Sequence, residues 1–588
     1  MSDRSLPCPS PFVENGPSAA SCRCATANRL AGRFVASWIV LAAINSALAA
    51  PPTLSHLVPA GGQRGTKVTV TASGAFTWPV KVSAPGVEAV PTADSGKIEI
   101  TIPADLPTDR VWVRLYNAEG ASATFPFQIG NLPEIAEVEP NNSPKTAQKL
   151  PESSFIVNGV LEGADVDSFA VPLKAGQTLV AAVDANTALG SPMDAMLQIV
   201  TPNGTVVAEN NDDVQLDPRL AYTAPRDGIY IARLFAFPSA PGTSIAFVGG
   251  ANFVYRMTLT TGPYITHAIP LAVSAPAADK PNEPQTVEVV GWNIPADTRL
   301  PVVPLGGERL AGFPEYEPID ELRNSADSRL GFVFAPGFAN STRVRIVPHA
   351  AMPTLMTADA APFAPSSTVT GWLKTKGQRD VHKVTLQKGQ AFVASVESRS
   401  LNLLVDPVVL LLDPTGAKVA EVDDIGATQD SALSHTAAHD GEYKFVVRDR
   451  YEQGGDRCAY RLSVRLEQPD FELNLASDTV TIEPGKPTEV TVKVIRRAGP
   501  AGAVGPITIQ IPNLPEGVTC PPVVSEPTGP TAAEVKLALT AAGKGYSGPV
   551  RVVGSAAQPK ELARAARTPA RLGATTDVAW LTVIEKKE

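Results

Sequence analysis

Short runs in which apolar and polar residues alternate recur along most of the chain. Residues 66–71, 97–102 and 111–116 each place an apolar side chain at every second position, so each predicts a strand that buries one face. The same period of two appears at 286–292, 342–347, 488–495, 507–511 and 533–539, and residues 331–336 add a further candidate strand. Glycine and proline punctuate the runs, as strand-and-turn architecture requires. Helical periodicity is confined to a short turn expected at 320–329. Residues 560–567, rich in Lys and Arg, read as a solvated loop or short helix. The pattern predicts an all-β protein: a serial array of about five small β-sandwich domains.

One unit occurs twice, over 132–262 and 351–467. Asp194, Pro202 and Gly204 of the first copy have the spacing of Asp406, Pro414 and Gly416 in the second. Asp227-Gly228-Ile229-Tyr230 matches Asp440-Gly441-Glu442-Tyr443, and Phe253-Val254-Tyr255-Arg256 matches Cys458-Ala459-Tyr460-Arg461. Matches in the same order with little drift mark a structural repeat. Each copy predicts a strand, a Pro-x-Gly hairpin turn, a second strand, a loop, and an Asp-Gly turn of positive φ into the strand that Tyr230 or Tyr443 begins.

The first copy opens with side-chain oxygens: Glu137, Glu139, Asn141 and Asn142, then Asp165 and Asp167 ahead of Phe169. Calcium takes six to eight oxygen ligands, largely carboxylates and carbonyls. In extended chain, Glu137 and Glu139 present carboxylates on one side, and the asparagines with the Asp165/Asp167 turn can close a shell. The plainer alternative is a polar linker followed by a polar turn. The second copy has Asp380-Val381-His382 where the first has Asp165-Val166-Asp167, and no acidic opening precedes it, so no calcium is expected there.

These motifs resemble the bacterial pre-peptidase C-terminal domain, a small β-sandwich attached to many secreted peptidases. Its E-x-E-P-N opening, D-x-D turn and late D-G-x-Y are all present in the first copy; the second keeps the later parts. The resemblance implies calcium ligands in the opening segment and the D-x-D turn, and partners such as a peptidase, another protein or a polysaccharide. Residues 50–131, with Pro59-Ala60-Gly61-Gly62 leading into a strand, resemble the IPT/TIG immunoglobulin-like family, and 468–588 resemble immunoglobulin-like surface modules. Residues 263–350 form a β-rich module between the two copies.

Composition narrows the functional classes. The chain has 588 residues and a formal charge of -9. Arg29 and Arg33 precede an apolar run ending near Ile44, followed by Ala47-Leu48-Ala49, so 1–49 reads as a signal peptide and the protein as exported to the periplasm, cell surface or medium. Cleavage there removes four arginines against Asp3 and Glu14, moving the charge from -9 to -11. An acidic exported chain is a poor partner for nucleic acid, and no membrane span is expected after cleavage. It also leaves Cys458 and Cys520, assigned to different modules, with Cys458 in a core position.

No G-x-S-x-G or H-E-x-x-H motif occurs, and the six histidines are dispersed. His435 and His439 have zinc-helix spacing but lie in a strand-to-turn segment. Asp212-Asp213 and Asp423-Asp424, at equivalent loops, read as turn chemistry. The leading expectation is a non-enzymatic binding or scaffolding protein with a calcium-stiffened first repeat. The alternative is an accessory subunit or divergent enzyme of secreted proteolysis. An enzyme would show a concave site of convergent polar groups; a binding protein would show aromatics on a sheet face or at a module junction.

Overall fold

Almost every regular element is a strand, as period-two patterning dictates. The computed structural model describes residues 50–151, 154–240, 242, 246–276, 285–304, 329–347, 351–352, 361–426, 428–499 and 502–586. The expected signal peptide and most of the expected turn at 320–329 lie outside them; Arg329 itself opens a strand, Arg329–Val333. Helical structure among the described residues is one turn at Asn186–Leu189 and one at Arg399–Leu401.

Strands form where alternation placed them: Lys67–Ser73, Lys97–Thr101, Arg110–Tyr116, Thr286–Trp292, Thr342–Val347, Thr488–Gly499 and Glu534–Ala541. In Glu534–Ala541 the odd-numbered Val535, Leu537 and Leu539 are buried while their neighbours are exposed, so a slip of one residue would invert the whole strand. The buried apolar side chains gather into five large clusters, spanning Leu54–Ile129, Leu150–Leu259, Ile265–Ile346, Phe363–Val464 and Phe471–Val583. One expectation fails at 560–567. Leu562–Ala565 is a strand paired antiparallel with Val553–Ala556, because Leu562 is buried in the last cluster and Arg564 reaches Asp470 at 2.9 Å.

The repeat is a repeat of topology. In the first copy one sheet runs Arg219–Thr223, Thr178–Asp184, Val254–Thr260, Ser154–Val160, Glu134–Ala136. In the second it runs Ser431–Thr436, Ala391–Glu397, Ala459–Leu466, Ser367–Trp372, Ala351–Met352, in the same order. The facing sheets also correspond, Asp167–Leu173 matching Arg379–Leu386 at one side. The Pro-x-Gly turns place Gly204 and Gly416 at φ 89° and 88°, where a side chain would be strained. The Asp-Gly turns divide: Gly441 takes the expected positive φ, 139°. Gly228 does not adopt a positive φ, and its strand starts at the glycine itself, opposite Leu173. What both turns share is the aspartate: Asp227 accepts from the Ala175 amide at 2.9 Å and Asp440 from the Lys388 amide at 2.7 Å.

Sequence neighbours are not the only spatial ones. From residue 49 onward the chain gathers into one compact unit. Arg457 of the second repeat grips Asp213 of the first through two bonds of 2.6 and 2.9 Å. Arg219 joins at 2.6 Å, and Trp292 of the middle module lies under both guanidiniums. Asp213 is therefore a buried inter-module ligand, not a turn residue. The last cluster returns to the first, where Arg114 pairs with Asp478 at 2.8 Å and Tyr116 packs on Trp580. Cys458 is buried in the second repeat and Cys520 borders the final core, each a free thiol.

Candidate metal centre

The linker into the first repeat lies along the seam between its sheets. Glu134–Ala136 pairs in parallel with Ser154–Val160, and the Glu137 amide continues the contact by donating to the Asn158 carbonyl at 2.9 Å. That pairing swings Glu137 inward. One of its oxygens accepts from the Val160 amide at 2.7 Å, and the other from the Tyr255 hydroxyl at 2.7 Å. Asp167 starts the strand on the facing sheet, is fully buried, and lies 2.6 Å from the same hydroxyl. A phenol has one proton, so it cannot donate to both carboxylates at once. Gly159, opposite Tyr255 in the ladder, keeps the space open: a Cβ there would collide with the Tyr255 ring and the Glu137 carboxylate.

Glu139 completes a cluster in which one oxygen from each of Glu137, Glu139 and Asp167 lies within 4.8 Å of the others. None of the three is ion-paired to Lys or Arg among the described residues. The second oxygen of Asp167 is buried and has no hydrogen-bond partner. Burial, then the charge of Glu137, pushes the Asp167 carboxyl well above the usual carboxylate range; burial raises Glu137 as well. Burial and the two carboxylates push the Tyr255 phenol higher still. Three carboxylates this close, without a countercharge, call for a proton or a cation.

The other expected ligands take different places. Asn141 is fully buried, but its carbonyl oxygen accepts from the Ser168 amide at 3.2 Å while its amide nitrogen lacks a partner. Asn142 and Asp165 bond to each other at the exposed rim, and Asp165 also accepts from the Val166 amide at 2.7 Å. Glu137, Glu139 and Asp167 thus converge, Asn141 braces the strand behind them, and Asn142 and Asp165 border the opening.

No family model matches this chain, and no curated protein matches it. Solved structures give slight likenesses. The pre-peptidase C-terminal domain of a collagenase from Bacillus anthracis is 17% identical, over 19% of this chain and 100% of that one, with a TM-score of 0.15. The N-terminal four Ig domains of a Dscam1 isoform are 9% identical over 91% and 97% of the two chains, with a TM-score of 0.18. Trypsin-activated alpha-2-macroglobulin from Escherichia coli is 8% identical over 91% of this chain and 49% of that one, at 0.15. Likenesses this slight say nothing of what the chain does.

The second repeat supplies the more useful comparison. His382 occupies the place of Asp167, and its Nε2 lies 2.6 Å from the Tyr460 hydroxyl, which also reaches Asp380 at 2.7 Å. Gly371 opposes Tyr460 as Gly159 opposes Tyr255. Burial lowers His382 to about 4, so the ring is neutral. The tyrosine was visible in the sequence as a residue common to both copies, but nothing in the motif showed that its hydroxyl joins the acidic groups.

Proposed function

We propose that this is an exported, non-enzymatic binding or scaffolding protein whose first repeat is closed by calcium. The carrying observation is the convergence of Glu137, Glu139 and Asp167 at the sheet seam, with a buried Asp167 oxygen lacking any partner. Hard carboxylate oxygens are the donors calcium prefers. These three would hold the ion, and Asp165 and Asn142 border its entrance. Bound there, calcium supplies charge neutralisation rather than chemistry: it ties the linker at Glu137 and Glu139 to the strand beginning at Asp167, and so stiffens the approach from the preceding module.

The non-enzymatic reading draws support from where the perturbed groups lie. His382 is fully enclosed and His267 nearly so, and Tyr255 and Tyr460 are buried in their cores. Export rests on the arginine-flanked apolar run and Ala47-Leu48-Ala49. No helix among the described residues is long and apolar enough to cross a membrane.

The test is calcium titration of the full chain by calorimetry and thermal melting, beside Asp167→Asn. Asparagine keeps the size and loses the charge. Saturable binding with a raised melting temperature, both lost in the variant, supports the reading. A wild-type chain indifferent to millimolar calcium defeats it.

A further inference from the structure

Where the last module folds back on the first, the two enclose a cleft of about 330 Å³, near the lower end of the range for small-molecule sites. Trp112 and Trp580 line it together with Pro85, Pro512 and Pro549. A second hollow of about 160 Å³ adjoins it, with Trp112, Thr124 and Thr576 lining both, and Arg571 lines this second hollow.

The charges in this cleft do not balance. Arg114 is buried and committed: it donates to the Ser122 carbonyl at 2.6 Å and to Asp478 at 2.8 Å. Arg551 at the rim is matched by Asp577 at 3.0 Å. Arg571 stacks over Phe125 at 5.7 Å, and no ion pair to its guanidinium is found among the described residues. The carboxylate whose charge it feels is Asp478, which Arg114 already holds. The buried Arg114 and the half-enclosed Arg571 thus share one carboxylate, in a chain whose overall charge is -9. A partly desolvated cation without a partner is a strong attractor for an anion, and a guanidinium suits the planar fork of a carboxylate. Trp112 and the threonines Thr568, Thr575 and Thr576 line the same hollow, and Trp580 lines the adjoining one, a setting that suits a body part apolar and part hydrogen-bonding.

We propose that the cleft between the first and last modules binds a small ligand carrying one carboxylate, which Arg571 receives while the body of the ligand rests against Trp112 and Trp580. Two sources present that chemistry: an acidic sugar, and the carboxyl terminus of a peptide. The cleft gives the binding protein proposed above a ligand site, and it draws on none of the residues of the carboxylate cluster at Glu137, so either reading can fail alone.

The experiment uses the full chain and paired probes, read by ligand-observed NMR and calorimetry. Glucuronate is compared with glucose, and N-acetylphenylalanine with its amide. Saturable binding of one carboxylate probe, at least tenfold tighter than its neutral counterpart, is expected, and the pair that responds identifies the source. Arg571→Gln should weaken that binding about tenfold or more, the loss expected when a hydrogen bond to a charged group is removed. Arg571→Lys should retain part of it, and both variants should keep the wild-type melting temperature and calcium response. The proposal is overturned if neither carboxylate probe saturates, if charged and neutral probes bind alike, or if Arg571→Gln binds as the wild type does.

Discussion

The mouths of the two repeats are built on the same strands and answer the same tyrosine in opposite ways. In the first, the Tyr255 hydroxyl meets Glu137 and Asp167, and the cluster carries more negative charge than anything around it offsets. In the second, Tyr460 meets His382 and Asp380, and a neutral ring replaces the buried carboxylate. Burial drives both outcomes. It lifts Asp167 toward the protonated acid and lowers His382 toward the neutral base, so each site avoids an unpaired charge at metal-free equilibrium. Among the described residues, only the first brings three carboxylates together. A topology held constant by its core therefore tolerates either a latent ligand set or a self-sufficient hydrogen-bonded pair; the residue at the Asp167/His382 position and the acidic opening of the first copy together decide which.

The contrast extends to the loop carboxylates, and there the largest effect is expected. Asp213→Ala leaves the buried guanidiniums of Arg219 and Arg457 without their shared partner, and denaturant unfolding should show a loss of about 3–5 kcal/mol. A wild-type-like midpoint would mean that the repeats are not clamped.

Next comes pH. His382 has a folded pKa of about 4 against 6.5 when unfolded, so between these values only the unfolded state takes up its proton. The stability that His382 contributes is therefore complete above about pH 6.5 and falls as pH drops toward 4, by on the order of 3 kcal/mol at about 1.4 kcal/mol per unit. Melting curves of wild type and His382→Gln should diverge by this slope across that window; the difference isolates His382 from His267, which burial lowers, and from Asp167 and Asp217, which burial raises and whose slopes run the other way.

Grafting the second mouth onto the first sharpens the comparison directly. Calcium at a hundred times its dissociation constant should stabilise the wild type by about 2.7 kcal/mol. Asp167→His should remove that gain while the chain stays folded, since the second repeat already accommodates histidine beside tyrosine. The smallest effect belongs to Asp423→Ala. Its partner Arg450 is solvent-exposed, so the change should stay within about 0.5 kcal/mol, the counterpart against which Asp213 is judged.

The fold was largely legible because strand alternation is a local signal: the runs at 286–292 and 342–347 became strands with those bounds. The repeat was legible because Pro-x-Gly and the capping aspartates recur at constant spacing. The site was legible only in part. Glu137, Glu139 and Asp167 were legible by type, whereas the bond from the Ser168 amide to Asn141 was not, since whether a side-chain amide braces a backbone depends on burial. Arg457 and Asp213 were illegible because their partnership crosses 244 residues of sequence and two modules. At 560–567 the charged side chains concealed a strand that one buried leucine anchors.

The return of the last module to the first has a mechanical consequence. Ala50 is held by Asn117 in the first module, and Ala579–Val583 is the final strand of the last. A pull applied between Ala50 and Val583 therefore does not load the five cores one after another. It bears first on the junction of Arg114 with Asp478 and Tyr116 with Trp580. Under tension that seam should part before any core unravels, lengthening the molecule in one early step and opening the cleft it encloses.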